Sequence, residues 1–536
     1  MLFDTLYQPY PNSRYSLYAS NGMICSSSPL ASSAGLEILA KGGNAVDAAI
    51  ATAAMMTVVE PTSNGLGSDA FAIVWMKDRL YGLNASGRSP KEISIEKVRA
   101  LGYEAMPKRG WIPIMVPGAP KAWAALNERF GDVSLPEVLA PAIRYAREGF
   151  PVSPVLSHLW NKYVNKALQE YEGKAEHREW MRMFTIDGKA PAVGEIVRFP
   201  DMAKTLQLIA DTKSKAFYEG EIAEKIVAQS QRDGGFFSME DLSSYEAEWV
   251  DPISVNYRGY DVWEIPPNGQ GIVTLIALNI LKNYNFTGKE DPETYHKQFE
   301  AIKIAFADAL KFVSDPKDMT VDYHAFLSEE YGKYRASQID ETAKLYEGVD
   351  PASCGTVYLC TADRHGNMVS YIQSNYMDFG SGIVVEDYGV SLQNRGYDFA
   401  LDPEKVNALK PGKKSYHTII PGFLTKDGKA VGPFGVMGGY MQPQGHVQVL
   451  MNLLDFHLNP QMALDAPRWQ WVKDRHFITE PRFDPKMVEE LHKYGHLIDV
   501  SENYYSYGRG QMILRLENGA YVGACESRTD SNIACY

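Results

Sequence analysis

The first sixty residues carry two helical patterns of apolar positions after a short strand-like segment. Residues 34–41 have helical spacing and end at Gly42-Gly43, a pair typical of a helix C-terminus. Asn44 begins the next helix, and Asp47 in its first turn completes a capping-box pattern. Residues 48–59 are apolar on every face of that helix, which predicts that it is buried.

The chain changes from a helix-rich to a strand-rich pattern after residue 352. Residues 110–312 are mainly helical in periodicity, with breaks at prolines. Residues 356–361 and 368–373 alternate β-formers around a turn, so they predict a hairpin whose first strand starts at Thr356. The other predicted elements are strands at 382–386, 418–424 and 430–436 and a helix at 445–454. An ordinary sheet covered by helices would give the same pattern.

Composition narrows the class of protein and its partners. The chain has 536 residues, of which 45% are hydrophobic and 22% charged, as expected of a large globular enzyme with one or two domains. Its formal charge is -13 and no Lys/Arg cluster compensates for it, so nucleic acid is not an expected partner. The longest apolar stretch, 48–59, falls short of the roughly 20 residues that a membrane span needs. The N-terminus lacks the pattern of a secretory signal, so we expect a cytoplasmic protein.

The sequence lacks the common signatures of cofactor and metal sites. Its cysteines have no CxxC spacing, which indicates reduced thiols rather than a disulfide framework or a zinc site. His492 and His496 are close in sequence, but Gly495 between them indicates a helix end and argues against a metal pair. The segment PPNGQG at 266–271 has no preceding G-x-G and is interpreted as a structural turn, not a nucleotide loop. We expect neither a cofactor nor a metal ion.

The step Gly355-Thr356 is the first candidate for chemistry. A threonine hydroxyl is a weak nucleophile, but cleavage of the bond before Thr356 would give this residue an α-amino group with a pKa of about 8, which can act as its general base. Gly355 would let the backbone reach a strained conformation that favours attack of the hydroxyl on the preceding carbonyl. A Gly-Thr pair in a strand is by itself most often structural.

Two other segments could serve the same reaction. Met437-Gly438-Gly439 follows a predicted strand, where two glycines can turn backbone N–H groups toward a developing oxyanion. Arg88 lies in a predicted turn, where its guanidinium could hold a substrate carboxylate through two hydrogen bonds. Each segment alone is weak evidence, because Gly-Gly turns and exposed arginines are common.

Four segments together give this chain a resemblance to γ-glutamyltranspeptidases over nearly its whole length. Residues 28–71, from SPLASSAG to NGLGSDAF, resemble the N-terminal signature of that family. EIPPNGQG at 264–271 is similar to its Pro-Pro turn, and residues 355–396, which begin GTVYLCTADRHGN, resemble the segment that starts at its processing site. PFGVMGG at 433–439 resembles its two-glycine oxyanion hole.

The resemblance implies an α+β Ntn-hydrolase fold, a four-layer αββα sandwich that is made as a proenzyme. Self-cleavage would give a large subunit, 1–355, which completes the sandwich, and a small subunit, 356–536, which begins with the nucleophile. The implied partners are a small-molecule amide substrate and the two subunits of one precursor, and two such heterodimers could form a dimer.

The resemblance also implies roles for individual residues. Thr356 falls on the nucleophile, Gly438-Gly439 on the oxyanion donors, and Ser374 on a threonine that hydrogen-bonds the nucleophile. The implied substrate contacts are Arg88 for the α-carboxylate and Asp398 for the ammonium group.

Four positions depart from the family pattern. His417 and Thr418 replace a serine pair that helps to bind the α-carboxylate. Tyr376 and Arg395 occupy two further ammonium-binding positions. An arginine about 4 Å from a substrate ammonium would cost about 4 kcal/mol at an effective dielectric constant near 20, unless Asp398 neutralises it. Such a pocket should tolerate a γ-glutamyl amine poorly.

Three functions therefore remain open. The leading hypothesis is a γ-glutamyl hydrolase and transferase that acts on glutathione-like compounds. Residues 399–411 are too few for the long lid of many relatives, so water should compete well as the acceptor. This and the altered pocket resemble the branch of cephalosporin acylases that act on glutaryl side chains, and the family also contains an oxamate amidohydrolase. An acylase for substrates without an α-amine is the rival hypothesis, and an unprocessed, non-enzymatic homologue is the third.

Overall fold

The computed structural model describes residues 14–346 and 355–536. Its strands are β1 (Leu17–Ala19), β2 (Gly22–Ser26), β3 (Asp69–Met76), β4 (Arg79–Ala85), β5 (Phe150–Pro151), β6 (Ile196–Val197), β7 (Glu248–Val250), β8 (Ile253–Tyr257), β9 (Tyr260–Glu264), β10 (Gly355–Asp363), β11 (Met368–Tyr376), β12 (Val384–Val385), β13 (Val390–Ser391), β14 (Gly422–Lys426), β15 (Lys429–Met437), β16 (Trp469–Lys473), β17 (His476–Thr479), β18 (Leu497–Val500), β19 (Arg509–Arg515), β20 (Tyr521–Cys525) and β21 (Asn532–Cys535).

The helices are α1 (Pro29–Ala40), α2 (Ala45–Val59), α3 (Ile95–Ala100), α4 (Ala119–Phe130), α5 (Leu135–Glu148), α6 (Pro154–Glu170), α7 (Arg178–Phe184), α8 (Pro200–Thr212), α9 (Lys215–Tyr218), α10 (Glu221–Arg232), α11 (Met239–Ser243), α12 (Gly271–Leu281), α13 (Pro292–Phe312), α14 (Glu329–Ala336), α15 (Met441–Leu454), α16 (Pro460–Asp465) and α17 (Pro485–Lys493).

Two antiparallel sheets of seven strands each form the centre of the molecule. Sheet A has the order β1-β20-β19-β15-β14-β9-β8, and sheet B has the order β21-β2-β10-β11-β3-β4-β7. Helices α1, α2, α4 and α5 cover the outer face of sheet B, and α12, α13 and α15 cover that of sheet A. The layers are therefore αββα, which confirms the fold implied by the resemblance. Each sheet takes strands from both sides of residue 355, so the two predicted subunits interleave.

Successive side chains of the central strands point to opposite faces of sheet B and so belong to two different apolar layers. In β10, Tyr358 and Cys360 face the layer between the two sheets, whereas Val357 and Leu359 face the helices on sheet B. In β11, Ile372 belongs to the same layer between the sheets. This parity decides which polar residues of these strands point into the middle of the sandwich.

The helix predicted to be buried is confirmed. Every residue of α2 is buried, because this helix lies between sheet B and its helical neighbours. The Asn44 side chain accepts hydrogen bonds from the N–H groups of Val46 and Asp47, and the Asp47 carboxylate accepts from the N–H of Asn44. The capping box is therefore formed as predicted.

The predicted hairpin is confirmed as β10 and β11, but several boundaries were wrong. The mainly helical region 110–312 also contains β7, β8 and β9. Of the predicted strand 382–386 only Val384–Val385 forms. The strand predicted at 418–424 begins at Gly422, because Pro421 has no N–H to donate to a ladder. Helices predicted to start at 34 and 445 start earlier, at Pro29 and Met441.

Two expectations from composition can be compared with the described residues. Cys25, Cys360, Cys525 and Cys535 are free thiols, as predicted, and Cys354 lies outside the described residues. Within residues 14–346 and 355–536, no helix combines the length and the apolar character that crossing a membrane requires.

A buried ionic network ties the C-terminal strands to the segment before them. Glu526 pairs with Arg468 at 2.8 Å and with Arg528 at 2.6 Å, and it accepts a hydrogen bond from the N–H of Gly510. Arg528 also pairs with Glu480 at 2.6 Å. Burial alone would raise the pKa of Glu526, but the charges of Arg468 and Arg528 lower it to about 2.

Replacing Glu526 should destabilise the protein strongly. The substitution Glu526→Gln leaves Arg468 and Arg528 with one carboxylate between them, and breaking a buried pair in this way costs about 3–5 kcal/mol. Because the pKa of Glu526 is lower in the folded than in the unfolded state, its stabilising contribution is complete above pH 4.5 and is lost as the pH falls toward 2. Urea denaturation monitored by tryptophan fluorescence measures both effects. The matched control is Glu517→Gln, which changes an exposed carboxylate. Its free energy of unfolding should stay within about 0.5 kcal/mol of that of the parent protein. Equal stabilities of the two variants would contradict this role for the network.

Candidate active site

Thr356 lies at the start of β10 on the face that points between the sheets. The pairing of β10 with β11 runs Gly355 to Tyr376 and then Val357 to Gln373, so a β-bulge separates Gly355 from Val357. A bulge re-aims the side chain that it carries, and here that side chain is the Thr356 hydroxyl. Thr356 is fully buried.

Ser374 connects the Thr356 hydroxyl to the peptide bond that precedes it. Its Oγ lies 3.0 Å from Thr356 Oγ1 and 2.8 Å from the carbonyl oxygen of Gly355. The N–H of Tyr376 donates to the same Oγ at 2.7 Å, and Nη2 of Arg395 donates at 3.3 Å. Since these two nitrogens can only donate, the Ser374 proton is directed to the Gly355 carbonyl. The carbonyl at the predicted cleavage site is therefore polarised by a hydrogen bond in the uncut chain.

Gly355 occupies a position that has no room for a side chain. The predicted strained backbone conformation at Gly355 stays a prediction. A Cβ at this position would lie 2.7 Å from the carbonyl oxygen of Thr62 and 2.8 Å from the Cα of Ser63. A side chain at this position would therefore force the backbone at the predicted cleavage site to shift.

Arg395 is the cation closest to this group. It begins a short 3-10 turn, Arg395–Asp398, and is fully buried. Its Nη1 donates to Thr418 Oγ1 at 2.6 Å, and its Cζ lies 4.0 Å from the centre of the Tyr376 ring. Tyr376 has a φ of 77°, a left-handed conformation that costs a non-glycine residue of order 1–3 kcal/mol and that is found mainly at functional sites.

Asp398 lies beside this cation and close to the predicted oxyanion loop. Its Oδ1 accepts hydrogen bonds from Tyr376 Oη at 2.5 Å and from Tyr440 Oη at 3.4 Å. Tyr440 directly follows Gly438-Gly439, which have φ values of 141° and 59° and connect β15 to α15. Both conformations are those that glycine adopts readily. The structure therefore brings the two glycines to the same end of the sandwich as Asp398.

His417 and Thr418 are held by the PPNGQG turn. The N–H of Gln270 donates to the carbonyl of His417, and Gln270 Nε2 donates to the carbonyls of Thr418 and Gly439 at 2.6 and 2.9 Å. The structural turn predicted for this segment is confirmed, and it also fixes the position of the glycine loop. His417 Nε2 lies 2.9 Å from Asp69 Oδ2.

Asp69 is a site residue that the sequence reasoning missed. It stands opposite Ser374 in the pairing of β3 with β11 and points between the sheets. Burial raises its pKa to about 7, although the charge of Arg395 acts in the opposite direction. Burial lowers the pKa of His417 well below its usual value, so this imidazole is neutral. The sequence signal for Asp69 was a single carboxylate at the start of the apolar segment DAFAIVWM.

Arg88 makes its contacts with residues outside the group around Thr356. Its guanidinium pairs with Asp315 and with Glu248, both at 2.9 Å, and donates to the carbonyl of Gly412 at 3.1 Å. Arg88, Asp315 and Glu248 line a cavity of about 480 Å³, and Lys414 lines it as well. The predicted contact of Arg88 with a substrate carboxylate stays a prediction, and in this structure two protein carboxylates occupy its guanidinium.

His496 contacts a second histidine instead of forming a pair with His492. His496 Nε2 lies 2.9 Å from His296 Nδ1, and Glu300 is close enough for all three to offer ligand atoms within 4.8 Å of one another. Lys303 already pairs with Glu300 at 2.5 Å, and both side chains are fully buried. A divalent cation would therefore bring uncompensated charge into the core, so we assign these residues a structural role.

The reactive groups meet where sheet B faces sheet A. Direct contacts connect Thr356, Ser374, Arg395, Tyr376, Asp398 and Thr418, whereas Asp69 extends the group to His417. Such an arrangement can polarise a carbonyl next to a hydroxyl nucleophile in a buried site.

Comparisons with known proteins find relatives along nearly the whole chain. The sequence profile of the family described as gamma-glutamyltranspeptidase matches residues 31–536. The chain is 37% identical to the glutathione hydrolase-like YwrD proenzyme of Bacillus subtilis strain 168, over 96% of this chain and 98% of that protein. It is 31% identical to the oxamate amidohydrolase proenzyme of Klebsiella pneumoniae, over 97% and 99%. The crystal structure of a cephalosporin acylase from Bacillus halodurans matches with a TM-score of 0.95 and 52% identity, over 100% of this chain and 99% of that one.

Proposed function

Because the chain belongs to the gamma-glutamyltranspeptidase family, we propose that it is a self-cleaving amidohydrolase whose nucleophile is Thr356. Cleavage of the Gly355-Thr356 bond gives a large subunit, 1–355, and a small subunit, 356–536. The mature enzyme hydrolyses a small-molecule amide through an acyl-enzyme on the Thr356 hydroxyl. The observation that carries this proposal is the Ser374 hydroxyl, which bridges Thr356 Oγ1 and the scissile carbonyl oxygen.

Self-cleavage uses the groups that are already in contact. Thr356 Oγ1 bonds to the Gly355 carbonyl carbon while the Ser374 O–H stabilises the oxyanion. The C–N bond then breaks as the hydroxyl proton passes to the nitrogen, which becomes the α-amine of Thr356. Water hydrolyses the resulting ester and leaves a carboxylate on Gly355. The reaction consumes one water molecule per chain.

Turnover repeats this attack on an external amide. The free α-amine takes the proton of the Thr356 hydroxyl, Oγ1 bonds to the acyl carbon, and the amine of the substrate leaves with a proton. Gly438-Gly439 supply N–H donors for the oxyanion, as the resemblance implies. Water then attacks the acyl-enzyme and releases the acid.

The pocket favours an acyl group without an ammonium. Arg395 is buried against Ser374 and Tyr376, so a γ-glutamyl amine next to it would be repelled. A glutaryl-type acyl group has the same carbon chain without that amine. This supports the acylase function, and the similarity to a cephalosporin acylase and to an oxamate amidohydrolase agrees with it.

A γ-glutamyl hydrolase that acts on glutathione-like amides is the second candidate. It is favoured by Asp398, a carboxylate that two tyrosine hydroxyls orient beside the site, and by the similarity to a glutathione hydrolase-like protein. In that case Asp398 would have to offset the repulsion by Arg395.

Two measurements test the function. A denaturing gel should show two bands of about two-thirds and one-third of the chain, and a single persistent full-length band would support an unprocessed, non-enzymatic protein. We expect kcat/KM for glutaryl 4-nitroanilide to exceed that for γ-glutamyl 4-nitroanilide by about 10-fold or more, since the ammonium costs at least about 1.4 kcal/mol beside Arg395. A preference for the γ-glutamyl substrate would establish the second candidate instead.

A further inference from the structure

Arg395 is a fully buried guanidinium without an ion pair among the described residues. Two of its five N–H groups donate, one to Thr418 and one to Ser374, and Nε has no hydrogen-bond partner in the described part of the chain. Arg468, which is also buried, pairs with Glu526 at 2.8 Å. Burial of an unpaired charge is costly, so the position of Arg395 calls for an anion that the protein itself does not supply.

The acidic groups nearby do not fill this need. Asp69 and Asp398 are both near, but the structure gives no ion pair between either carboxylate and Arg395. The raised pKa of Asp69, about 7, leaves it only partly charged at neutral pH. The Tyr376 ring stabilises the guanidinium through its π face but carries no charge.

We infer that Arg395 binds a carboxylate of the acyl group of the substrate, the role that the resemblance gives to Arg88. This inference rests on the proposed amidohydrolase function and defines its substrates as monoamides of short dicarboxylic acids. Arg88 is engaged by Asp315 and Glu248, so it is the weaker anchor of the two. An arginine presents a planar fork that matches a carboxylate, and Nε with one Nη is the edge used for two parallel hydrogen bonds.

The distance from Arg395 to the nucleophile limits the length of the acyl chain. Ser374 Oγ lies 3.0 Å from Thr356 Oγ1 and 3.3 Å from Arg395 Nη2, so Nη2 is no more than about 6 Å from the nucleophilic oxygen. One short acyl chain, such as the five carbons of a glutaryl group, can therefore reach from Oγ1 to the guanidinium.

The test compares each charged substrate with an uncharged one of the same shape. The probes are glutaryl 4-nitroanilide and 4-carbamoylbutanoyl 4-nitroanilide, in which an amide replaces the terminal carboxylate, with succinyl and adipyl anilides to vary the length. For the processed parent enzyme we expect kcat/KM to favour the glutaryl over the carbamoyl substrate by about 10- to 100-fold, the range of a charge-assisted hydrogen bond. The adipyl substrate should be slower than the glutaryl one.

Variants at the two arginines decide which one holds the carboxylate. Arg395→Gln should reduce the charged-to-neutral ratio to near 1, mainly through KM, and Arg395→Lys should keep part of it. Arg88→Gln should change the ratio by less than about 3-fold. All rates are divided by the processed fraction read from a gel. If Arg395→Gln is not processed, Arg395→Lys replaces it, and inhibition of the parent enzyme by free glutarate is compared with inhibition by glutaramate.

The outcomes separate this inference from the function on which it rests. A ratio near 1 in the parent enzyme, or a ratio that Arg88→Gln removes and Arg395→Gln preserves, would overturn the inference and leave the amidohydrolase standing. A parent chain that neither cleaves itself nor releases nitroaniline from any probe would refute the proposed function itself.

Discussion

Thr356→Ala is expected to leave the chain uncut and inactive. The substitution removes both the hydroxyl that attacks Gly355 and the nucleophile of the mature enzyme, and loss of a covalent nucleophile lowers turnover by about 10⁴-fold or more. The variant should migrate as one full-length band and release no nitroaniline above background. Thr356→Ser keeps the hydroxyl and should still be cleaved.

The control for this variant lies in the same strand. Thr361 is also a buried threonine of β10, and its Oγ1 donates to the carbonyl of Ala45 at 2.7 Å, away from the site. Thr361→Ala should lose only about 1 kcal/mol of stability and keep both cleavage and activity. If Thr356→Ala were still cut at the same bond or kept parent-like turnover, another residue would be the nucleophile.

Ser374→Ala should slow self-cleavage by about 10²- to 10³-fold. That is the usual effect of removing one oxyanion donor, and the Ser374 O–H is the donor that the structure places 2.8 Å from the scissile carbonyl oxygen. The loss also takes a hydrogen-bond acceptor from Arg395 Nη2. A time course of the full-length band after purification of the uncut chain gives the rate directly.

A serine on the same face of β11 provides the matched comparison. Ser370 is buried and precedes Ser374 on the same face of β11. Its Oγ lies 2.8 Å from Tyr358 Oη, so its hydrogen bond is not with the Gly355 carbonyl. Ser370→Ala should be processed at the parent rate, and Ser374→Thr, which restores a hydroxyl, should recover part of the lost rate. Equal processing by Ser374→Ala and Ser370→Ala would show that the hydrogen bond to Gly355 does not assist cleavage.

In the proposed mechanism, cleavage supplies the base for turnover. In the uncut chain the nitrogen of Thr356 belongs to a peptide bond and cannot accept a proton, whereas after cleavage it would be an amine with an unperturbed pKa of about 8. The Thr356 hydroxyl and Ser374 would serve both reactions, and their contact is already present in the uncut chain.

Features that depend on neighbouring residues could be predicted from the sequence. The capping box at Asn44 and the hairpin of β10 and β11 depend on residues a few positions apart, and both are formed. Spacing could not locate the strands β7, β8 and β9 within a mainly helical region, because short alternating segments depend on the sheet that they join. Thr356 could be proposed as nucleophile since the chemistry of an N-terminal threonine and the family motif coincide on one residue.

The arrangement of the charges was decided only by the tertiary structure. Arg88 and Arg395 are both arginines in loops. Nothing local distinguishes an arginine paired with Asp315 and Glu248 from one that is buried without an ion pair in the described part of the chain. Their partners are far away in the sequence, so burial and pairing follow from how the sheets and loops pack. Asp69 likewise could be recognised as a site residue only from its position opposite Ser374. The sequence by itself predicted the fold and the nucleophile that we propose. Only the folded chain showed which arginine is paired with carboxylates, because the energy of a charge depends on its solvent and its neighbours.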